Sequence, residues 1–504
     1  MQHGPTHMTG EQFRDAAGRV ASLIDRYWAG VDDRPVRASI APGALLDTLP
    51  ARPPEAGEGS LEGCLADVER LVLPALTHWQ SANFYAYFPS NISGPAVLGE
   101  FLSAGLGVQG MLWATSPAAT ELEMRVLDWL GGAIGLPDAF LFGGAGAGAA
   151  GGGVIQGTAS DAALAALVAG RWRTLRSLPE AERRAAMPRL TAYTSTQAHS
   201  SILKAAMIAG LALGPNDREQ FRLVPVQDDL SMDPAALEQL LLEDVARGRL
   251  PCFVSATLGT TSSTAVDPLD AIGAAVRRVC GVTPWLHVDA AHSGSACVCP
   301  EHRAMICGVE LADSFCFNPH KWLLTNFDCN CFWTRDRASL TGAMSVTPEY
   351  LRNAPSDAGA VVDYRDWHVP LGRRFRALKL WFVLRYYGLE GLREHVRLGV
   401  RLAALFEELV RGDARFEVAS ARTLNLVCFR LSPREGEDPE QVDARNRGLL
   451  ERLNATGRLY LSHTVLPGVG SAPSRYVLRM AIGAVRTREE HVRAAWSLIA
   501  ASAG

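Results

Sequence analysis

A chain of 504 residues, 48% apolar and 20% charged, is long enough to bury a large core, and its length corresponds to about three domains. A formal net charge of -4 gives no basic footprint for nucleic acid, and no apolar run reaches the roughly 18 residues of a membrane span. No charged, apolar and cleavable segment opens the chain, so a cytoplasmic location is expected. The ten cysteines are scattered and read as buried thiols, because Cys297-x-Cys299 and Cys329-x-Cys331 lack the usual spacing of about two to four residues between metal ligands. No metal site is expected.

In chain order, the residues to Pro5 read as a loose terminus. Thr9-x-x-Gln12 has the form of a capping box ahead of an amphipathic helix carrying Phe13, Val20, Leu23, Ile24 and Tyr27. That helix is too short to be a domain. Pro50 to Ser60, rich in Pro, Gly and Glu, reads as a linker. Thr77-His78-Trp79 and FYAYFPS (Phe84 to Ser90) concentrate aromatic side chains, which suit either a packed core cluster or the wall of an aromatic pocket.

Gly143 to Gly153 contains Gly146-x-Gly148-x-x-Gly151, which matches a dinucleotide fingerprint in form only. No helix follows at once, and position 170, where an acid would be sought, is glycine. The run reads as a lengthened flexible turn. Directly after it, VIQGTAS leads into DAALAALVAGRW, a strand and turn followed by a helix. Thr158, Ala159 and Ser160 then sit at a helix N-terminus, where N–H groups, hydroxyls and the helix dipole favour a phosphate dianion or serve as an ordinary cap. Leu190 to Thr194 reads as a strand delivering His199. Cys252 to Thr257 reads as another, followed by Gly259, Thr260 and Thr261, where a glycine and hydroxyls at a strand end fit close ligand approach.

Trp285 to Trp322 carries the strongest chemistry. It opens with a short apolar run ending in Asp289 and closes with Ser314 to Phe317, which leads into Asn318-Pro319-His320-Lys321. Such runs read as buried parallel strands, so Asp289 and Lys321 emerge at one carboxyl edge, where open α/β sheets bind ligands. Pyridoxal phosphate needs this pair, a lysine amine for its Schiff base and an acid to keep its ring nitrogen protonated.

Past Lys321, the segment around Tyr350 (LTGAMSVTPEYLRNAPSDAG) loses periodicity and reads as a mobile surface loop. From about Arg385, helices such as REHVRLGVRLAALFEELV and REEHVRAAWSLIAAS flank the strand-like LNLVCFRL and RYVLRMAI. They predict a small α/β domain with an antiparallel sheet and a structural role.

HVDAA followed by NPHKW resembles the group II pyridoxal-phosphate decarboxylases, and LADSFCFNPHKWLLTNFDC resembles their aromatic L-amino acid decarboxylase branch. The resemblance runs from about Leu61 to the C-terminus, through THW, AYFP, TELE, VIQGTAS, QAHSS, ATLGTT, PLGRRFR and LKLWF in family order. It implies the α/β fold of type I pyridoxal-phosphate transferases, like that of aspartate aminotransferase, with a mostly parallel central sheet. The implied division is an N-terminal helical arm (1–92) packed on the partner subunit of a homodimer, a large cofactor-binding domain (93–384) and a small C-terminal α/β domain (385–504).

By the same resemblance Lys321 binds the cofactor, Asp289 holds its nitrogen positive, and Thr158, Ala159 and Ser160 cup its phosphate. His199 stacks on the ring, and Thr261, Asn318 and His320 complete the cofactor contacts. Trp79, Tyr87, Phe88, Pro89 and Ser90 line the substrate side-chain pocket, while Gln109, Met111 and Gly372 stand at specificity positions, the first two reaching across the dimer. Tyr350, on a loop closing over the neighbouring subunit, protonates the α-carbon.

Decarboxylation of tryptophan, phenylalanine, tyrosine or DOPA to the amine and CO2 is the implied reaction, with aromatic acetaldehyde synthesis as the alternative. Sequences of the latter kind replace the loop tyrosine with phenylalanine or the stacking histidine with asparagine, and here Tyr350 and His199 are both present. A desulfurase needs a loop cysteine, and none lies between Cys331 and Cys428. An aminotransferase needs an arginine for the α-carboxylate, a role for which Arg479 is the candidate. A non-catalytic scaffold is opposed by the filled catalytic positions. Gly372 matches a glycine usual in tryptophan and DOPA decarboxylases, a buried amide at Gln109 calls for a polar partner, and His292 replaces the tyrosine common after HVDAA.

Overall fold

The computed structural model describes residues 7–55, 57, 60–143, 150–279, 281, 283–468, 470 and 472–503. The expected loose terminus to Pro5 and the fingerprint residues Gly146 and Gly148 lie outside them. Seven strands form the central sheet: β1 (Gly152–Gln156), β2 (Leu190–Ser195), β3 (Phe221–Val224), β4 (Leu250–Thr257), β5 (Trp285–Asp289), β6 (Ser314–Phe317) and β7 (Asn330–Thr334), in the order β1-β7-β6-β5-β4-β2-β3. β2 to β6 pair in parallel, and β7 runs antiparallel to both β6 and β1. Strands buried on both faces carry continuous apolar runs, which is why β4, β5 and β6 are legible as such.

The longer helices before β3 are α1 (Gly10–Gly30), α2 (Gly94–Leu106), α3 (Pro117–Ile134), α4 (Ala159–Arg176) and α5 (Ser200–Ile208). The buried face of α4 is built of small residues, among them Ala162, Ala165, Ala166 and Ala169, so the helix lies close on the sheet. The glycine-rich run is not a turn throughout. Gly152 and Gly153 belong to β1, and a Cβ at Gly153 would lie 2.9 Å from Trp333 Cδ1, so absence of a side chain there is a packing requirement.

A long helix, α6 (Ala377–Arg411), breaks at Gly388 (φ 61°, ψ 178°) and leads to a second sheet. Its strands are β8 (Phe416–Val418), β9 (Leu426–Leu431), β10 (Ser462–Leu466) and β11 (Arg475–Ala481), all antiparallel in the order β10-β11-β9-β8. Leu402, Phe406, Phe429, Leu478 and Ile499 form the core of this part. β8, β10 and the helix Pro439–Ala455 escape the sequence reading because their apolar patterns are short or sparse.

Helix α1 begins with the capping box read from the sequence: Gln12 N–H donates to Thr9 Oγ1 at 3.2 Å and Thr9 N–H to Gln12 Oε1 at 2.8 Å. None of its residues is buried within the single chain, and Phe13 is 50% exposed. Residues 77–91, by contrast, are woven into their own chain. Phe84 forms an isolated parallel bridge with Tyr460, Tyr85 N–H donates to Tyr460 O at 3.0 Å, and Ala481 N–H donates to Tyr85 O at 3.0 Å. Among the described residues no helix is long and apolar enough to cross a membrane. Buried thiols are found at Cys297, Cys299, Cys329 and Cys331, but Cys64 and Cys307 are exposed, a correction to the reading of all ten as buried.

Candidate active site

β5 and β6 are parallel neighbours with Asp289 opposite Cys316, so the chain leaves both at the same carboxyl edge. After β6, Pro319 opens a one-turn helix, Pro319–Trp322, with its ring at a position where no backbone N–H is needed. Asn318 fixes the turn, its N–H donating to Ala291 O at 3.0 Å and its Oδ1 accepting from Asn330 Nδ2 at 2.7 Å. His320 Nδ1 accepts from Cys329 N–H at 3.0 Å. Lys321, Asp289, Asn318 and His320 thereby face one cavity of about 200 Å³.

The opposite end of this cavity is the N-terminus of α4, where Thr158, Ala159 and Ser160 line it. The three do not contribute alike. Asp161 Oδ2 accepts from Thr158 N–H at 2.9 Å and from its hydroxyl at 3.3 Å, so the Thr158 hydroxyl is held by a capping carboxylate. That leaves the Ala159 and Ser160 N–H groups, at the positive end of the helix dipole, and the Ser160 hydroxyl as the donors this end of the cavity can offer an anion.

His199 caps α5 with its ring. Ser201 N–H donates to His199 Nδ1 at 3.2 Å, with the Ser201 hydroxyl 2.9 Å away, which places the imidazole proton on Nε2. Burial lowers its pKa, the charge of Asp289 works the other way, and Lys321 lowers it further. Burial also lowers the pKa of Lys321, against the pull of Asp289. Thr261 enters on the loop after β4, where Gly259 adopts φ +83° and a Cβ would overlap the Ser293 side chain.

A wider pocket of about 820 Å³ opens from Lys321 and His199. Trp79, Tyr87, Phe88, Pro89 and Ser90 form one wall. Trp79 stacks on Phe84 at 4.4 Å and on Tyr87 at 5.7 Å, and the Tyr87 and Tyr460 hydroxyls lie 3.2 Å apart. The other wall comes from the small C-terminal sheet, through Tyr460, Ser462, His463, Thr464 and Arg479. This corrects the purely structural role read for that part of the chain.

Arg479 is 3% exposed and its guanidinium lies 5.2 Å over the Phe88 ring. It donates to Ser262 O (3.3 Å), Tyr87 O (3.2 Å), Ser462 Oγ (2.9 Å) and Thr261 O (2.6 Å). An arginine inside the apolar strand RYVLRMAI is a sequence signal for such a tie, since a buried arginine must have partners. His292, also lining the cavity, stacks on Phe88 at 3.8 Å and is held neutral by burial, with a pKa pushed down to about 3.

Four sequence-predicted residues are not brought to either cavity by the single chain. Tyr350 is 77% exposed, in a short 3-10 turn at Glu349–Leu351. Gln109 is exposed rather than buried, and its Oε1 accepts from Arg373 N–H at 3.3 Å because the turn before α3 carries it outward beside Gly372. Met111, half-buried, accepts through its carbonyl from Arg365 N–H at 3.0 Å.

An amine, a carboxylate and a helix N-terminus spaced around one small cavity match the aldehyde, ring nitrogen and phosphate of pyridoxal phosphate, and buried unpartnered atoms at its wall, Thr257 Oγ1 and His292 Nδ1, leave hydrogen-bonding capacity for a ligand. The fold and the site define a pyridoxal-phosphate-dependent enzyme. The pyridoxal-dependent decarboxylase conserved domain matches residues 42–432, and the chain belongs to that family. It is 47% identical to a phenylacetaldehyde synthase of Arabidopsis thaliana over 98% of this chain and 96% of the other, and 44% identical to tyrosine decarboxylase 2 of Narcissus pseudonarcissus over 99% and 95%. The crystal structure of Catharanthus roseus tryptophan decarboxylase in complex with L-tryptophan superposes with a TM-score of 0.89 at 41% identity, covering 99% of both chains.

Proposed function

We propose that the protein decarboxylates an aromatic L-amino acid, tryptophan, phenylalanine, tyrosine or DOPA, to the arylalkylamine and CO2. The observation that carries this reading is the aromatic pocket of Trp79, Tyr87, Phe88 and Tyr460, backed by buried Phe84, opening directly on Lys321. Relatives named for tyrosine and tryptophan decarboxylation support it. The relative named phenylacetaldehyde synthase supports aromatic aldehyde synthesis as the second reading, against which stand Tyr350 and His199.

When bound, pyridoxal phosphate supplies an electron sink for the bond broken at the α-carbon. Lys321 anchors it and later receives the product's place. Asp289 would hold a proton at the ring nitrogen, and His199, whose charge is disfavoured by burial, lines both cavities and would pack against the cofactor. The aromatic walls would grip the substrate side chain and so orient the amino acid at Lys321. Arg479 spends four of its five N–H donors on protein oxygens, so it cannot clamp the α-carboxylate through a bidentate pair. A desolvated carboxylate held by no bidentate arginine favours loss of CO2 over amino transfer.

Tyr350 reaches its site from the partner subunit of a homodimer and returns a proton to the α-carbon. Exposed apolar side chains support that assembly: Phe13 of α1 stacks on Phe101 of α2 at 6.1 Å, beside exposed Leu98, Leu102 and Leu106. Gln109, Met111 and Gly372 then face the neighbour's pocket, the arm 1–92 belongs partly to the partner, and 93–384 and 385–504 form the cofactor-binding and small domains of a cytoplasmic enzyme.

An amino-acid panel with amine, CO2, ammonia and peroxide all quantified tests the reading. Amine and CO2 in equal amounts from an aromatic substrate are expected. Stoichiometric ammonia and peroxide would establish the aldehyde synthase instead.

A further inference from the structure

Tyr87 stands in the aromatic wall in a backbone conformation that its side chain disfavours. Its φ of 54° lies in the left-handed region, which bulky residues rarely adopt. Such strain persists only where the surroundings impose it, and a strained residue in a ligand pocket points to a task. Burial does not impose it here, because Tyr87 is 50% exposed in the single chain. Hydrogen bonds from the small sheet do. Tyr87 N–H donates to Ser462 Oγ at 2.9 Å, and Tyr87 O accepts from Arg479 Nη1 at 3.2 Å. Ser462 on β10 faces Arg479 on β11 in the sheet register, and Arg479 Nη1 also donates to Ser462 Oγ at 2.9 Å. The serine oxygen thus accepts twice, from the strained residue and from the buried guanidinium that holds the same residue's carbonyl. The ring follows the backbone: it lies nearly parallel to Trp79, with centroids 5.7 Å apart and 15° between planes, and edge-on to Tyr460 at 6.0 Å.

We infer that Ser462 is a positioning residue for the substrate wall, its hydroxyl oxygen holding Tyr87 in the left-handed conformation and so setting the Tyr87 ring across the pocket that opens on Lys321. This rests on the reading of that pocket as the one for the substrate side chain. Without the oxygen, Tyr87 relaxes to negative φ and its Cβ turns away from Trp79. The wall loses a ring while Lys321, Asp289 and His199 keep their places. Contact with an unreacting side chain is the same before and during the chemical step, so its loss raises KM and leaves kcat in place.

The test compares the wild-type holoenzyme with Ser462→Ala and with Ser462→Thr, which keeps the oxygen. KM and kcat are measured with phenylalanine, tryptophan, tyrosine and DOPA, and the Kd of phenylpropionate, an aromatic acid with no amine to react, by calorimetry. Ser462→Ala should raise KM and Kd about tenfold with kcat changed less than about twofold, and Ser462→Thr should stay close to wild type. In Tyr87→Ala, which has no ring to place, adding Ser462→Ala should leave Kd unmoved. A serine that merely stabilises the sheet would lower the urea midpoint and leave KM and Kd alone, and that result overturns the inference, as does an equal loss in the Tyr87→Ala background. A wild type that turns over none of the four amino acids, yet binds phenylpropionate more tightly than Ser462→Ala does, overturns the decarboxylase reading and keeps the inference. Should Ser462→Ala fail to fold, amide hydrogen exchange of the wild type decides: Tyr87 N–H should be protected although the residue is half-exposed, and exchange at the rate of an open loop overturns the inference.

Discussion

At the scale of single residues, the two hydroxyls at the head of α4 make opposite predictions. Ser160→Ala removes a donor to a dianion, worth about 1.5–3 kcal/mol, so the Kd for pyridoxal phosphate should rise roughly 10- to 100-fold. Thr158→Ala loses only the bond to Asp161 and should cost about 1 kcal/mol of fold stability, with cofactor affinity nearly unchanged. Fluorescence titration of apo-protein, together with urea unfolding, separates the two. Tyr350→Phe should lower amine formation by about 10²- to 10⁴-fold and divert product to aldehyde and ammonia, and an unchanged amine yield would remove Tyr350 from its role. Asp289 and Lys321 are legible in the sequence because each follows a buried strand at one sheet edge, whereas the α4 head reads alone as an ordinary cap and His199 as a structural histidine, and only the family resemblance gives them roles. Tyr460 and Ser462 carry no such signal, and Arg479 is read from the sequence only as a candidate carboxylate receptor, since only the packing of the small sheet on residues 77–91 brings them to the pocket. Nor is the diversion of Thr158 legible, since it depends on the rotamer of Asp161.

At the scale of elements, two local devices hold the cavity's edges. Arg373 Nη2 donates to Glu123 Oε1 at 2.6 Å and to Ile155 O at 2.8 Å, and Ile155 N–H donates to the same carboxylate oxygen at 2.7 Å. This tie fastens α3 to β1, the strand that leads into α4 at the cavity's edge. Both side chains of the pair are only 2% exposed, so Glu123→Gln leaves a buried charge without its counterion and should destabilise the fold by about 3–5 kcal/mol, read as a lower urea midpoint. Gly259→Ala should displace the loop bearing Thr261 and weaken cofactor retention in dialysis, because positive φ and the Ser293 side chain both exclude a Cβ. Buried parallel strands made the central sheet readable; the antiparallel β7 and the short β8 and β10 required the tertiary structure, since their runs are brief and set by pairing partners.

At the scale of the whole molecule, acid should unfold this protein early. Burial holds His287 and His395 at pKa values of about 4, and His292, His320 and His368 at about 3. Below about pH 6.5 the unfolded chain takes up protons on these rings while the native fold does not, so stability falls with pH at up to about 1.4 kcal/mol per pH unit for each histidine. Urea midpoints at pH 7 and pH 5 check the direction, and equal midpoints contradict it. Assembly is checked by mixing inactive Lys321→Ala and Tyr350→Phe subunits: with Tyr350 acting across the dimer, about a quarter of the sites should regain amine formation. The pocket wall itself is closed by Tyr87 and Ser462, whose hydrogen bond spans 375 residues. During synthesis on the ribosome, the cofactor pit around Lys321 therefore emerges well before the strands that complete the substrate wall. A nascent chain holds no finished pocket for a free amino acid, and turnover begins only after the last strand has been translated and docked.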